Sequence, residues 1–199
     1  MNDHLRPASL LSTTQAADGL PRRRWSVAEM RAMAEAGIID HSERFELIGG
    51  EAVPINPKGI QHERIKAALL RFWIKAAPDG IGIIPETTFT LSDDTFLEPD
   101  VTVFAMPPGL SALNGSTALL CVEVSDLTLA YDRGRKAAIY ASFGVRDYWS
   151  IDAATLDTRV HRQPGPAGYA VVEDKGSGEQ LVPLLVPGLA VMLGKLVLP

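Results

Sequence analysis

An apolar run at residues 119–124 constrains the fold of this chain more than any other feature. The run reads LLCVEV, and five of its six side chains are apolar, on both faces of the predicted strand. Such a strand is typical of the centre of a sheet that helices cover. The exception is Glu123, because an ionised carboxylate without a partner is costly to bury. We therefore expect Glu123 to be protonated, paired or bound to a metal, unless its side chain reaches water at the strand end.

A second acid lies at the start of another apolar strand. The sequence EPDVTVF places Asp100 directly after a proline, with Glu98 on the same face of the strand. Two strand ends that each carry an acid predict a shared carboxylate cluster. Such oxygens suit a hard cation such as Mg²⁺ or Mn²⁺, and the sequence has no His and Cys spacing typical of zinc. We predict that Asp100 and Glu123 form a metal site.

A lysine is expected beside these acids. A helix is predicted at about 133–142, with Asp132 as its cap and Gly144 beyond its end. Lys136 lies on the apolar stripe of this helix, so its ammonium needs an anionic partner, unless its stem packs on the sheet and its charge stays in solvent. Two acids and a lysine suit phosphodiester hydrolysis. The metal would polarise the phosphoryl oxygen and activate water, and the lysine would orient that water or neutralise charge.

The rest of the chain mixes helix and strand signals. Ser26 and Glu29 have the spacing of a capping box, and RFELIGGEAVPI predicts a hairpin. A helix over 62–77 is predicted to bury the stripe Ile65, Ala68, Leu69, Phe72 and Ala76, with His62 one turn earlier. Further predicted strands are GIIPETTFTL, RDYWSID, TRVHR and GYAVVED, and the proline-interrupted C-terminal run is expected to wrap the core. These signals predict one α/β (α+β) domain at 25–199 after a mobile tail at 1–24.

Composition narrows the function classes. The formal net charge of −5 predicts no strong non-specific attraction to nucleic acid or to an anionic membrane. This argues against a DNA-coating protein, but a nuclease remains compatible because its metal-binding carboxylates make the charge more negative. The single cysteine, Cys121, cannot form an internal disulfide and indicates a reducing compartment. The N-terminal residues lack the apolar run of a signal peptide or membrane span, so we expect a cytoplasmic protein with no membrane partner.

Several sequence motifs, taken in their order along the chain, resemble those of the Uma-type "putative restriction endonucleases" of bacteria, within the PD-(D/E)XK nuclease superfamily. The matching pieces, over roughly 26–195, are FELIGGE, the histidine at 62, PDVTVF, CVEVSD, YDRGRKAAIYASFGVRDYWSID and LVPGLAV. The resemblance implies a restriction-endonuclease-like fold, with a mixed central sheet flanked by helices. It maps the superfamily's acids onto Asp100 and Glu123. The sequence departs from the superfamily pattern at Ser125, where the motif has lysine, and Lys136 on the following helix is the matching position.

The resemblance also implies an activity. It predicts a Mg²⁺- or Mn²⁺-dependent endonuclease that hydrolyses DNA, with Asp100, Glu123 and Lys136 as catalytic residues. His62 and Glu46 match family positions too, and each supports either catalysis or a hydrogen bond within the fold. Endonucleases that cut both strands are usually twofold dimers, so we expect a homodimer.

Two alternatives stay open at this stage. A nuclease-like fold could bind nucleic acid or protein without cutting, and the acidic net charge and the absence of a dense basic stripe in the sequence leave this alternative open. The target could also be RNA, or a branched or damaged DNA, instead of an ordinary duplex.

Overall fold

The structure, a computed structural model, describes residues 22–40 and 42–199. The tail predicted at 1–24 therefore lies outside the described residues, apart from the arginines at 22–24. Close backbone contacts divide the chain into two compact units. The smaller unit contains the described part of Met1–Asn56 together with Thr88–Leu97.

The larger unit contains Pro57–Thr87 and Glu98–Pro199. It holds Asp100, Glu123 and Lys136, the three residues predicted to be catalytic. The single domain expected over 25–199 stays a prediction.

The described residues form ten strands and four α-helices. The helices are α1 Val27–Glu35, α2 Ile60–Ala76, α3 Leu129–Tyr131 and α4 Ala137–Ser142, with a π-helical stretch at Asp132–Lys136 between α3 and α4. The strands are β1 Phe45–Ile48, β2 Glu51–Pro54, β3 Ile81–Pro85, β4 Phe89–Ser92, β5 Thr95–Leu97, β6 Val101–Ala105, β7 Leu120–Ser125, β8 Asp147–Asp152, β9 Thr158–Gly165 and β10 Gly168–Lys175. None of the helices in these residues combines the length and apolar character that a membrane span needs.

The smaller unit packs α1 with a four-stranded sheet in the order β2-β1-β5-β4. The capping box of Ser26 and Glu29 begins α1 as predicted. The predicted hairpin is β1–β2, and Gly49 and Gly50 make its turn with φ of 60° and 83°, a region that glycine adopts without steric cost. The arginines at 22–24 form ion pairs with acids of this unit, so these residues of the predicted tail belong to it.

The larger unit is built on a six-stranded mixed sheet. Its order is β10-β9-β8-β7-β6-β3, and all neighbours are antiparallel except β7 and β8. Every residue of β7 is buried, which confirms the prediction of a central strand. Residues 129–142, here called the crossover segment, connect the two parallel strands. The predicted mixed central sheet flanked by helices is therefore confirmed within this unit.

Helix α2 covers one face of the sheet, and the first three residues of the predicted stripe, Ile65, Ala68 and Leu69, are buried as predicted. Ile65, Leu69 and Trp73 are fully buried with residues of β6, β7 and β8. Phe72 and Ala76, which were predicted on the stripe, are exposed. The buried stripe continues at i, i+4, i+8 spacing from Ile65 through Leu69 to Trp73. The Trp73 indole N–H donates to the carbonyl of Leu189 at 2.7 Å. The C-terminal run thus packs on the core, as predicted.

The crossover segment begins earlier than predicted. Asp132 does not cap a helix that starts at 133, because α3 begins at Leu129 and Asp132 opens the π-helical stretch. Its carboxylate is drawn inward by hydroxyl donors from Ser125 and Thr128. The segment ends at Ser142, before a glycine with positive φ, as predicted.

The stretch GIIPETTFTL forms two strands instead of one. Residues 81–85 are β3, at an edge of the six-stranded sheet, whereas residues 89–92 are β4 of the other sheet. Glu86 interrupts the stretch with a φ of 47°, which a strand cannot contain. β5 was not predicted at all, because its three residues lie in a turn-rich stretch.

Candidate active site

The two predicted acids lie on neighbouring strands of the larger unit. β6 and β7 pair with Val101 opposite Val122, and one further step in this register puts Asp100 opposite Glu123. Side chains at such positions lie on one face, about 5 Å apart at Cβ. The exposed fractions are 2% for Asp100 and 5% for Glu123. The Val124 N–H donates to Asp100 Oδ2 at 2.7 Å, which ties the first acid to the second acid's strand.

Glu123 is held by two residues of the crossover segment. Lys136 Nζ lies 2.9 Å from Glu123 Oε1, and the Tyr140 hydroxyl donates to the same oxygen at 2.7 Å. Lys136 is 7% exposed, so its ammonium is inside and not in solvent. The structure therefore brings Lys136 to Glu123, as the apolar stripe predicted, whereas the contact from Tyr140 was not foreseen.

A third buried carboxylate, that of Asp132, lies in the same helical stretch as Lys136. The Ser125 and Thr128 hydroxyls donate to Asp132 Oδ2 at 2.8 Å and 2.5 Å. Burial raises the pKa of Asp132, and the charge of Lys136 one turn later only partly opposes this. Ser125, where the superfamily motif has lysine, thus anchors the π-helical stretch that carries Lys136 inward. Asp132 was foreseen only as a helix cap, and its link to Ser125 is tertiary.

Asp100 has its own set of partners. His62 Nε2 lies 2.9 Å from Asp100 Oδ2, and Lys58 Nζ lies 2.5 Å from Oδ1. Burial disfavours the ionised carboxylate, but the hydrogen bond from His62 and the charge of Lys58 hold the pKa of Asp100 well below its usual value. Burial also works against the charge on Lys58, yet Asp100 and Glu86 together raise the pKa of that lysine.

These contacts close into a ring of ionisable side chains, here called the charge ring. Glu86 Oε1 lies 2.7 Å from both Lys58 Nζ and Lys66 Nζ, and Glu63 Oε1 lies 2.8 Å from Lys66 Nζ and 3.2 Å from His62 Nδ1. The ring comprises Lys58, His62, Glu63, Lys66, Glu86 and Asp100. Burial opposes ionisation of Glu86, but its two lysine partners lower its pKa to about 2. The sequence signalled only His62 and Asp100.

One predicted supporting residue belongs to the smaller unit. Glu46 is a buried residue of β1 in the smaller unit, and its supporting role stays a prediction. Cys121 lies on β7 two residues before Glu123 and is fully buried, and burial raises the pKa of its thiol well above the usual value. The cysteine is therefore an inert core residue.

The donor set decides which metal could bind. Within 22–40 and 42–199, no group of three or more His, Cys, Asp and Glu side chains gathers as a metal site. Asp100 and Glu123 supply two hard carboxylates, which fits Mg²⁺ or Mn²⁺, because such ions keep several waters and use phosphate oxygens as further ligands. Lys58 and Lys136 already pair with these carboxylates, so a metal would compete with two ammonium groups.

Comparisons with known proteins agree with this fold. Residues 27–194 match the profile of Uma2, a family described as "Putative restriction endonuclease". A solved structure, a "putative nuclease belonging to DUF820" from Anabaena variabilis ATCC 29413, has a TM-score of 0.68 and 14% identity, covering 85% of this chain and 95% of that one. At this identity, the likeness shows the fold alone.

A search of curated proteins finds no match. The family match includes both predicted acids and the crossover segment, and it extends over most of the chain. The chain therefore belongs to the Uma2 family.

Proposed function

We propose that this chain is a divalent-metal-dependent endonuclease that hydrolyses phosphodiester bonds of DNA. The observation that carries the proposal is the convergence of three side chains: Asp100 and Glu123 lie at neighbouring positions of the six-stranded sheet, and Lys136 reaches Glu123 from the crossover segment. All three are buried, both acids are paired with lysines, and such clusters of buried, paired ionisable groups are frequent at functional sites. The family description supports a nuclease.

In this proposal, Asp100 and Glu123 hold Mg²⁺ or Mn²⁺. The bound ion would polarise a phosphoryl oxygen and lower the pKa of a metal-bound water. Lys136 neutralises the negative charge that develops on the phosphate, or orients the attacking water. Its contact with Glu123 keeps its ammonium at the metal-binding carboxylates instead of in bulk solvent.

Other side chains fix this arrangement. The Tyr140 hydroxyl limits the rotation of the Glu123 carboxylate. The Ser125–Asp132 hydrogen bond holds the turn that places Lys136. His62 keeps Asp100 ionised, which leaves its oxygens able to bind a cation. These four side chains are therefore positioning residues, since none of them is an assigned metal ligand.

A cleavage assay tests the proposal. Supercoiled, linear duplex, branched and single-stranded DNA would be incubated with Mg²⁺, Mn²⁺ or EDTA. We expect metal-dependent nicking or cleavage of at least one DNA form. Glu123→Gln and Asp100→Asn should lower the rate by about 10³-fold or more, because each removes a charged ligand worth several kcal/mol in the transition state.

Glu173→Gln is the matched control, because Glu173 is an exposed residue of β10 and its loss should leave the rate unchanged. The absence of metal-dependent cleavage on every DNA form, or a Glu123→Gln rate equal to wild type, would contradict the proposal. RNA substrates in the same assay would test the alternative target class.

We also propose a homodimer, because endonucleases that cut both strands of a duplex are usually dimers with twofold symmetry. Light scattering coupled to size exclusion measures the mass directly, and a monomer at all concentrations would contradict this part of the proposal.

A second candidate function is a binding module that does not cut. Both oxygens of Asp100 are engaged by Lys58, His62 and the Val124 N–H, an arrangement that is complete without a metal. DNA binding without cleavage, together with no heat of Mn²⁺ binding, would favour this function over the enzyme.

A further inference from the structure

Lys58 has a position that the proposed mechanism does not use. It lies two residues before the start of α2, its side chain is 16% exposed, and its ammonium contacts two carboxylates at once. It lies 2.5 Å from Asp100 Oδ1 and 2.7 Å from Glu86 Oε1. The ammonium thus neutralises a proposed metal ligand, while Lys136 does the same at Glu123.

The distances make Lys58 a competitor of a metal ion. His62 Nε2 and the Val124 N–H both contact Asp100 Oδ2. The other carboxylate oxygen, Oδ1, is the one that contacts the Lys58 ammonium. An ammonium and a divalent cation on one carboxylate repel each other strongly where water is largely excluded. Metal binding at Asp100 therefore requires the Lys58 ammonium to move away from Oδ1.

Glu86 provides a place for the displaced ammonium. Its carboxylate contacts Lys58 and also Lys66, and its pKa of about 2 keeps it ionised at neutral pH. The backbone holds it there at a cost, since its φ of 47° lies in the left-handed region and its N–H donates to the carbonyl of Pro99. Lys58 can thus leave Asp100 without losing its second anionic partner.

We propose that Lys58 occupies the cation position at Asp100 and that Glu86 retains its ammonium when a divalent metal binds. This inference rests on the proposed function, because it concerns the same metal site. It makes the Lys58–Glu86 pair a determinant of metal affinity: the lysine opposes the metal and the glutamate lowers that opposition. The Asp100 carboxylate therefore has a cationic partner whether or not the metal is bound.

Calorimetric titration with Mn²⁺ tests the inference without measuring activity. In Lys58→Met the Kd for Mn²⁺ should fall about tenfold or more, because coupling between close, desolvated charges exceeds one decade of affinity. Glu86→Gln should raise the Kd severalfold. In the Lys58→Met background, however, the same glutamine substitution should change the Kd less than about threefold, since the displaced ammonium no longer exists.

Lys66→Met is the matched control. It removes the same charge from the same ring and from the same Glu86 oxygen, but Lys66 has no ion pair with Asp100. We expect a change in Kd below about threefold. An equal gain in affinity in Lys66→Met and Lys58→Met would show a general charge effect and overturn the inference. Circular dichroism would confirm folding, with Lys58→Gln as the replacement if Lys58→Met fails to fold.

The remaining outcomes separate the inference from the proposed function. If wild type binds Mn²⁺ and cuts DNA while Lys58→Met has an unchanged Kd, only the inference fails. A lower kcat in Lys58→Met at unchanged Kd would make Lys58 a catalytic residue and would also overturn it. If no variant binds Mn²⁺ and wild type cuts nothing, both proposals fail.

Discussion

Two buried aspartates of the larger unit occupy similar places and have different surroundings. Asp100 directly precedes β6, and Asp147 is the first residue of β8; they are 2% and 0% exposed. Asp147 receives the Arg162 guanidinium, the Trp149 indole N–H and the Leu184 backbone N–H at 2.7–3.0 Å. These donors are held by strand and core packing, whereas Asp100 is paired with a lysine and a histidine.

The pKa directions differ accordingly. Burial raises the pKa of Asp147, and its donors do not offset this, whereas at Asp100 the His62 hydrogen bond and the Lys58 charge outweigh burial and lower the pKa. Burial of an acid is therefore not itself a sign of a site. What distinguishes Asp100 from a structural acid such as Asp147 is a lysine partner that also contacts a second carboxylate, that of Glu86.

The largest loss of stability is expected on substitution of Asp147, to which the comparison assigns a purely structural role. Asp147→Ala leaves a buried indole N–H and a backbone N–H without acceptors and breaks a largely buried ion pair, so stability should fall by about 3–5 kcal/mol. Urea unfolding measures this loss. Asp174→Ala, which breaks the exposed pair with Arg159, is the control and should cost less than about 1 kcal/mol. Equal losses of stability in Asp147→Ala and Asp174→Ala would contradict the structural role of Asp147.

A smaller effect is expected at the second proposed metal ligand. Tyr140→Phe removes a buried hydrogen bond to the Glu123 carboxylate, which should cost about 2 kcal/mol in the same unfolding experiment. Tyr169→Phe removes a hydrogen bond to the uncharged carbonyl of Val145 and should cost about 1 kcal/mol. A loss at Tyr140 no larger than at Tyr169 would mean that Glu123 is not held as a charged group.

The smallest effect is the pH dependence of stability, where the two aspartates should act with opposite sign. The lowered pKa of Asp100 gives stability that is present above the ordinary carboxyl pKa of 3.8 and is lost as the pH falls further. The raised pKa of Asp147 gives stability that is present below 3.8 and is lost as the pH rises through its pKa in the folded protein. Each slope is at most about 1.4 kcal/mol per pH unit.

Urea titrations of Asp100→Asn and Asp147→Asn across the acid range measure these slopes. We expect Asp100→Asn to lose less stability than wild type below pH 3.8. In Asp147→Asn, the decline just above that pH should be shallower than in wild type. Slopes that change in the same direction in both variants would contradict the account.

Local patterns were sufficient to predict the two acids and the inward lysine. The alternation of β7 put Glu123 on the face opposite Val122, and the helical stripe put Lys136 on the side that faces the sheet. Both periodicities are local properties of a strand or a helix, so the face on which each side chain lies can be predicted from the sequence. The acids at two strand ends predicted the cluster of Asp100 with Glu123, and the family resemblance assigned the same two residues.

The charge ring could not be predicted in this way. Lys58 lies 42 residues from Asp100 in sequence, and lysine in a polar loop before a helix is typical of a solvated residue. Glu86 lies just beyond β3, and its contact with Lys58 depends on where the sheet places β3 beside β6. The cap predicted at Asp132 was wrong because the helical segment already begins at Leu129, and hydroxyl donors from Ser125 on β7 and from Thr128 occupy the Asp132 carboxylate.

A crystal structure with bound Mn²⁺ tests the central claim most directly. We predict an anomalous peak about 2.0–2.4 Å from carboxylate oxygens of both Asp100 and Glu123, with the Lys58 ammonium moved towards Glu86. No peak between these carboxylates at saturating Mn²⁺, or the two acids in separate surroundings, would contradict the claim that they share a cation.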